Sequence, residues 1–139
     1  MFVLDTNVLS ELMRPQPDSR VMDTIALLPA SKTCITSITV AEILYGLDIM
    51  PQGNRKKHLL SAFSEMLEMD FAGRILEFDA IAAVEYAAIA GTRQRMGHPI
   101  SFADAQIAAI CRSHKAELLT RNIRDFDSTG IQVRNPFDD

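Results

Sequence analysis

Short apolar runs alternate along this chain with segments that are long enough to form helices. The first run, Phe2-Val3-Leu4, is continuous and bulky, as expected of a strand that is covered on both faces. The runs predict strands at 2–5, 33–36, 74–78, 118–120 and 131–133. The intervening segments predict helices near 7–13, 19–28, 39–50, 55–69, 79–96 and 101–113. Strands that alternate with helices indicate an α/β fold with a mostly parallel central sheet flanked by helices.

Size and composition indicate one globular domain over residues 1–139. Hydrophobic residues make up 47% of the chain and charged residues 23%, which excludes a disordered protein. No apolar stretch reaches the roughly 20 residues of a membrane helix, and Asp5 ends the first run too early for a secretory signal. Cys34 and Cys111 lie in apolar segments without metal-ligand spacing. We therefore expect buried free thiols and a cytoplasmic protein without membrane contact.

The charge balance limits how the protein could meet nucleic acid. A formal net charge of −4 argues against a protein that binds nucleic acid over its whole surface. It is compatible with an acidic catalytic pocket that has local basic patches around it. Arg121, Arg124 and the 55–58 cluster are such patches, and they are either phosphate contacts or solvated helix faces.

A carboxylate ends the first predicted strand, in the stretch FVLDTNVL. Asp5 can belong to a strand-to-helix turn, where Asp and Asn are common and where Thr6 and Asn7 could cap the following helix. It can also be a ligand, because sites in open parallel sheets lie just outside the carboxyl ends of strands. One carboxylate does not decide between these interpretations.

Two further carboxylates open predicted helices that are otherwise apolar. Thr39-x-x-Glu42 and Ser101-x-x-Asp104 both match a capping box, in which the acid only bonds to backbone N–H groups. The helix that Thr39 would open is apolar nearly all round, however, and is predicted to be buried on most sides. A carboxylate on such a helix lies at the helix mouth or needs a partner.

The acidic positions are predicted to meet at one edge of the sheet. Asp5 follows one strand, Glu42 and Asp104 open two helices, and Asn122 and Asp125 follow a later strand. Crowded carboxylates resist joint ionisation, so a divalent cation is the natural occupant of such a cluster. Oxygen ligands without a His or Cys cluster favour Mg²⁺ or Mn²⁺. Hydrolysis of a phosphodiester is the chemistry that suits this site.

Four ordered segments resemble the PIN domain family, and specifically the VapC-type toxins of bacterial toxin–antitoxin modules: LDTNVLSEL, TSITVAEILYGL, ISFADAQIAAIC and LLTRNIRDF. The resemblance extends over essentially the whole chain. It implies a single PIN-like domain and a Mg²⁺-dependent endoribonuclease that cuts cellular RNA. It also implies a homodimer that is neutralised by a cognate VapB-type antitoxin and reaches operator DNA only through that antitoxin.

The resemblance also assigns site residues. Asp5, Glu42 and Asp104 match the three acidic positions of the family, which implies that they bind the metal. The fourth family position holds Asn122 here, whose neutral amide is a weaker ligand than a carboxylate. Asp125 could supply the missing charge, or it could cap a turn. The hydroxyls expected to hydrogen-bond to these acids are those of Thr6 and Thr120.

An alternative from another class is a binding module whose acids only cap helices. This would be a catalytically inactive PIN-like domain in a DNA-binding regulatory complex, and Asn122 is the feature that favours it. A phosphotransfer receiver would carry a Lys after the last strand, and a phosphatase would carry a second Asp two places after Asp5. Because neither residue is present, the sequence argues against both the receiver and the phosphatase.

Overall fold

A five-stranded sheet forms the centre of the computed structural model, which describes residues 1–138. The strands are β1 Phe2–Leu4, β2 Thr33–Thr36, β3 Ile75–Leu76, β4 Glu117–Leu119 and β5 Val133–Arg134. They lie in the order β3-β2-β1-β4-β5, and every neighbouring pair is parallel. The predicted α/β fold is therefore confirmed, and the sheet is parallel throughout rather than mostly parallel.

Helices cover both faces of the sheet. Within residues 1–138 they are α1 Thr6–Leu12, α2 Ser19–Ala26, α3 Ser37–Asp48, α4 Asn54–Met69, α5 Ala80–Arg95 and α6 Phe102–His114. Successive strand residues point to opposite faces, so Val3 packs with α5 and α6 while Leu4 packs with α1 to α4. None of these helices in the described part of the chain is long and apolar enough to cross a membrane.

The residues that follow β1, β2 and β4 lie at the carboxyl edge of the sheet. Asp5 directly follows β1 and its backbone N–H donates to the carbonyl of Leu119, the last residue of β4. The prediction that Thr6 and Asn7 cap α1 is wrong, since both are helical residues. Asp5 itself is the N-cap, because its side chain accepts the Thr6 N–H.

Helix α3 begins earlier and is more exposed than the sequence predicted. Its N-cap is Thr36, whose hydroxyl oxygen accepts the Thr39 N–H at 3.1 Å. Thr39 therefore lies within the first turn and does not form the predicted capping box with Glu42. Burial on most sides is also wrong for this helix, because Leu44 and Tyr45 are 41% and 68% exposed.

Two further local features agree with the sequence: a helix that begins after Asp79, as expected of a capping residue, and two buried cysteines. Asp79 caps α5 by accepting the Ala82 N–H at 2.9 Å. Cys34 and Cys111 are buried free thiols. Two 3₁₀ helices, over Ala30–Lys32 and Ile123–Phe126, were not predicted. The second lies between β4 and β5 and is called the 3₁₀ segment below.

Candidate active site

Asp5 is the most enclosed carboxylate at the carboxyl edge of the sheet. Only 4% of the residue is exposed. Its Oδ1 accepts the Thr6 N–H at 2.8 Å, and its Oδ2 accepts the Thr120 hydroxyl at 2.8 Å. The predicted hydrogen bond from Thr120 is therefore confirmed. These two bonds fix the orientation of the carboxylate between the ends of β1 and β4.

The Asn7 side chain braces the same carboxylate, although the sequence identified it only as a cap. Its Nδ2 donates to the Thr120 hydroxyl oxygen at 3.1 Å and lies 3.4 Å from Asp5 Oδ2. Its Oδ1 accepts the Arg121 N–H at 3.0 Å. The only signal in the sequence is its place two residues after Asp5, where a short amide usually bonds to nearby backbone.

The Glu42 carboxylate is held by a residue of α1 and not by backbone N–H groups of its own helix. The Thr6 hydroxyl donates to Glu42 Oε1 at 2.7 Å, which confirms the second predicted bond between a hydroxyl and an acid. The hydroxyl oxygens of Thr6 and Thr39 lie 3.0 Å apart. This chain of contacts joins the first turns of α1 and α3 and keeps the otherwise exposed Glu42 beside the sheet edge.

Asp104 lies in the first turn of α6, half-buried, on the same side of the sheet. Ser101 caps this helix as predicted, since its hydroxyl oxygen accepts the Asp104 N–H at 3.2 Å. Burial raises the pKa of Asp104, and the negative charges of Asp125 and Glu42 raise it further. A hydrogen bond to Ser101 and the charge of Arg93 act in the opposite direction.

The pKa of Asp5 is raised in the same way. It rises from 3.8 to about 6, and burial is the largest cause. The hydrogen bonds from Thr120 and Thr6 lower it, whereas the charges of Asp104 and Glu42 raise it. The negative charges of Asp104 and Glu42 therefore act on Asp5 at the sheet edge, as expected of carboxylates on the same side of the sheet.

Asn122 and Asp125 occupy the loop after β4 and take part differently. Asn122 contacts the cluster through its backbone, whose N–H donates to the Thr120 hydroxyl oxygen at 3.1 Å. Asp125 lies on the 3₁₀ segment, and its charge acts on Asp104. Of these two residues, Asp125 is therefore the one whose negative charge reaches the cluster.

The side-chain oxygens at this edge of the sheet are of the kind that binds a hard divalent cation, although the carboxylates are not arranged around one common point. Within residues 1–138, no three His, Cys, Asp or Glu side chains are arranged to hold one ion. Carboxylate and amide oxygens are nonetheless the ligands that Mg²⁺ prefers. A cation would also relieve the repulsion that raises the pKa values of Asp5 and Asp104. Metal binding is therefore a hypothesis supported by the chemistry of the cluster.

A groove of about 880 Å³ opens beside Glu42, between α1, α3 and α4. Its walls are mostly apolar, and its basic side chains are those of Arg14, Arg55 and His58. Lys56, from the same basic cluster, is instead buried and donates to the Asp48 carbonyl at the end of α3. Only part of the predicted 55–58 patch therefore faces the groove.

Replacing Thr120 by Val should destabilise the protein by about 1–3 kcal/mol, because a buried carboxylate loses a donor. The N–H of Asn122 and the amide of Asn7 lose their acceptor as well. Urea unfolding at pH 7.5 in EDTA measures the loss. Thr120→Ser is the matched control, since it keeps the hydroxyl; equal loss in both variants would contradict the role of this bond.

Comparison with known proteins places the chain in a family. The model of the PIN domain matches residues 2–131. Toxin FitB from Neisseria gonorrhoeae is 37% identical over 139 residues, covering 100% of both chains. VapC ribonuclease Y4jK from Sinorhizobium fredii is 35% identical over 138 residues, covering 99% of both.

Solved structures agree with this placement. The crystal structure of FitAcB from Neisseria gonorrhoeae matches with a TM-score of 0.86 and 37% identity over 99% of each chain. The structure of DNA-bound VapBC from Salmonella typhimurium matches with a TM-score of 0.82 and 26% identity over 97% of each. The chain therefore belongs to the PIN domain family, among relatives of the FitB and VapC type.

Proposed function

We propose that this protein is a Mg²⁺-dependent endoribonuclease, the toxin of a toxin–antitoxin pair, which hydrolyses RNA phosphodiester bonds. The observation that carries the proposal is the cluster of Asp5, Glu42 and Asp104 at the carboxyl edge of a parallel sheet. The name of a full-length relative, a VapC ribonuclease, supports RNA as the substrate class.

The acidic residues have separate roles in this proposal. Asp5 and Asp104 hold the metal ion directly, and Glu42 either holds it or positions the attacking water. Asn122 completes the set of ligands, with or without Asp125. When bound, Mg²⁺ (or Mn²⁺) lowers the pKa of a water nucleophile and neutralises the charge that develops on the phosphate.

The surrounding residues keep these groups in place and attract the substrate. Thr120 and Asn7 hold the Asp5 carboxylate, and Thr6 holds that of Glu42. The groove beside Glu42 carries exposed basic residues at its rim, which suit a polyanionic backbone. Arg121, whose guanidinium lies 3.7 Å from the centre of the Phe137 ring, is a second candidate for phosphate contact beside Asn122.

We further propose a VapB-type antitoxin and a second copy of this chain as partners. DNA-bound VapBC is a structural relative, and we extend its assembly to this protein, with operator DNA reached only through the antitoxin. The exposed apolar residues of α3 and α5, such as Tyr45 and Val84, offer surface for such contacts. A cytoplasmic location, where RNA is available, completes the proposal.

Cleavage of total cellular RNA by the purified protein tests the enzymatic proposal. We expect discrete fragments with Mg²⁺ or Mn²⁺ and none with EDTA, because the carboxylate cluster needs a cation to act on a phosphate. The preparation must be free of antitoxin and checked for folding by its thermal melt. Cleavage that persists in EDTA would contradict metal dependence, and no cleavage with either ion would contradict the nuclease.

The second candidate function is a binding module without catalysis. Two observations favour it: the neutral Asn122 at the fourth family position, and the carboxylates that are not gathered as ligands within residues 1–138. Such a protein would associate with its antitoxin and DNA but leave RNA intact under every metal condition. The same cleavage experiment therefore separates the two functions.

A further inference from the structure

Arg93 is a buried cation that the proposed chemistry does not use. It lies in the last turn of α5, and only 8% of the residue is exposed. Arginine is almost never buried this far unless its donors are paired. The partners of its guanidinium should therefore indicate what the residue does.

Within residues 1–138, the guanidinium donates three hydrogen bonds, and all of them go to backbone carbonyls of two loops. Nε donates to His98 at 2.7 Å, after the end of α5. Nη1 donates to Asp125 and to Asp127, both at 2.9 Å. Since main-chain atoms are the acceptors, Arg93 fixes the path of the backbone around the 3₁₀ segment and leaves the Asp125 carboxylate outside these bonds.

The 3₁₀ segment is held from its other side by the core. Phe126 is buried, and the Thr129 hydroxyl donates to its carbonyl at 2.6 Å. The backbone at Asp125 is thus held by Arg93 on one side and by the buried Phe126 on the other, while Asp125 itself is exposed to solvent. Its charge then acts on Asp104, as described above.

We propose that Arg93 is a positioning residue that sets the place of Asp125 relative to Asp104, and through it the affinity of the site for a divalent cation. The proposal rests on the metal-binding part of the proposed function and not on RNA cleavage. Residues that orient ligands typically contribute 10–100-fold to metal affinity, which is the effect expected here.

Titration of the protein with Mn²⁺, followed by the electron paramagnetic resonance signal of free Mn²⁺, tests this inference. Arg93→Met should raise the Kd for Mn²⁺ about 10-fold. Arg93→Lys should raise it as well, because a compact ammonium does not reproduce the fork that spans three carbonyls. Arg95→Met is the matched control: it removes the same charge from the exposed side of α5 and should leave the Kd unchanged.

A double-mutant cycle separates positioning from general destabilisation. If Arg93 acts through Asp125, Arg93→Met should add little to the loss caused by Asp125→Asn, whereas a merely structural role predicts losses that multiply. Losses that multiply, or an unchanged Kd in both Arg93 variants, would overturn the inference. Thermal melts in EDTA identify folded variants, and Arg93→Lys replaces Arg93→Met throughout if the latter does not fold.

The outcomes also separate this inference from the proposed function. Mn²⁺ affinity that responds to Arg93 in a protein that cleaves no RNA would support the positioning role and refute the ribonuclease. RNA cleavage combined with an unchanged Mn²⁺ affinity in the Arg93 variants would support the ribonuclease and refute the positioning role of Arg93. A wild-type protein that binds no Mn²⁺ would overturn the inference.

Discussion

Asp5→Asn should reduce metal-dependent RNA cleavage by more than about 100-fold, beyond the effect typical of residues that only contact metal ligands. The carboxylate is the most enclosed acid of the cluster, and Thr120 and Thr6 hold it in one orientation. An amide of the same shape keeps one acceptor oxygen but loses the negative charge that binds a hard cation. Growth inhibition on induced expression should be lost together with cleavage.

The control for this substitution is Asp23→Asn, which removes an equal charge from an exposed position on α2. It should cleave RNA at the wild-type rate, because Asp23 is not among the charges that act on Asp5 or Asp104. Initial rates on total RNA at saturating Mg²⁺, with thermal melts for every variant, provide the comparison. Full activity in folded Asp5→Asn protein would refute the role of Asp5 as a metal ligand.

The positions of the acidic residues could be predicted because they depend on backbone topology. Short apolar runs separated by helices indicate a parallel sheet, and all strand ends of such a sheet that precede helices lie on one side. Asp5 follows from that rule, because it comes directly after β1. Asp104 does not, because α6 follows helix α5 rather than a strand. The bounds of elements were less predictable: β3 covers Ile75–Leu76 rather than 74–78, and β5 covers Val133–Arg134 rather than 131–133.

The partners of the acids could not be predicted, because they lie far apart in the sequence. Glu42 matches a capping box by its spacing from Thr39. In the structure, however, Thr36 caps α3, and the Glu42 carboxylate accepts a hydrogen bond from Thr6 on another helix. Arg93 is one of two arginines in the last turn of an Ala-rich helix. Only the fold shows that it alone turns inward to the loop that carries Asp125.

The exposure of α3 was mispredicted for a related reason. Apolar residues around a whole helix indicate burial, but the count does not say what covers them. In this chain α3 is covered on one face by α1, α4 and the sheet, and Leu44 and Tyr45 remain exposed. The apolar composition of α3 therefore does not by itself mean that the helix is buried.

The largest effect on stability is expected from pH, through Asp5. Its folded-state pKa of about 6 lies above the ordinary value of 3.8. Between about pH 4 and pH 6 the folded state therefore binds more protons than the unfolded state, and the free energy of unfolding decreases as the pH rises. Above pH 6 the ionised Asp5 lowers the free energy of unfolding by its full amount, about 3 kcal/mol. Below pH 4 Asp5 is protonated in both states, and this loss is absent.

Asp5→Asn removes this titration together with the repulsion between Asp5 and the carboxylates of Asp104 and Glu42. Its stability relative to wild type should increase by about 3 kcal/mol between pH 4 and pH 7.5, measured by urea unfolding in EDTA. Asp18, whose pKa is lowered by its hydrogen bonds with Arg20, titrates in both proteins and cancels in the difference. Parallel stability curves for the two proteins would contradict the burial of an ionisable Asp5.

Repeating the urea unfolding with Mg²⁺ tests whether the loss of stability caused by ionised Asp5 is linked to metal binding. An ion that binds only the folded protein stabilises it in proportion to the logarithm of its concentration above Kd. Mg²⁺ at pH 7.5 should therefore offset the cost in wild type and have little effect on Asp5→Asn, because the carboxylate both repels its neighbours and binds the cation. A pH effect without a Mg²⁺ effect would mean that Asp5 is buried and repelled as described but is not a ligand, since the electrostatic cost alone does not require an ion.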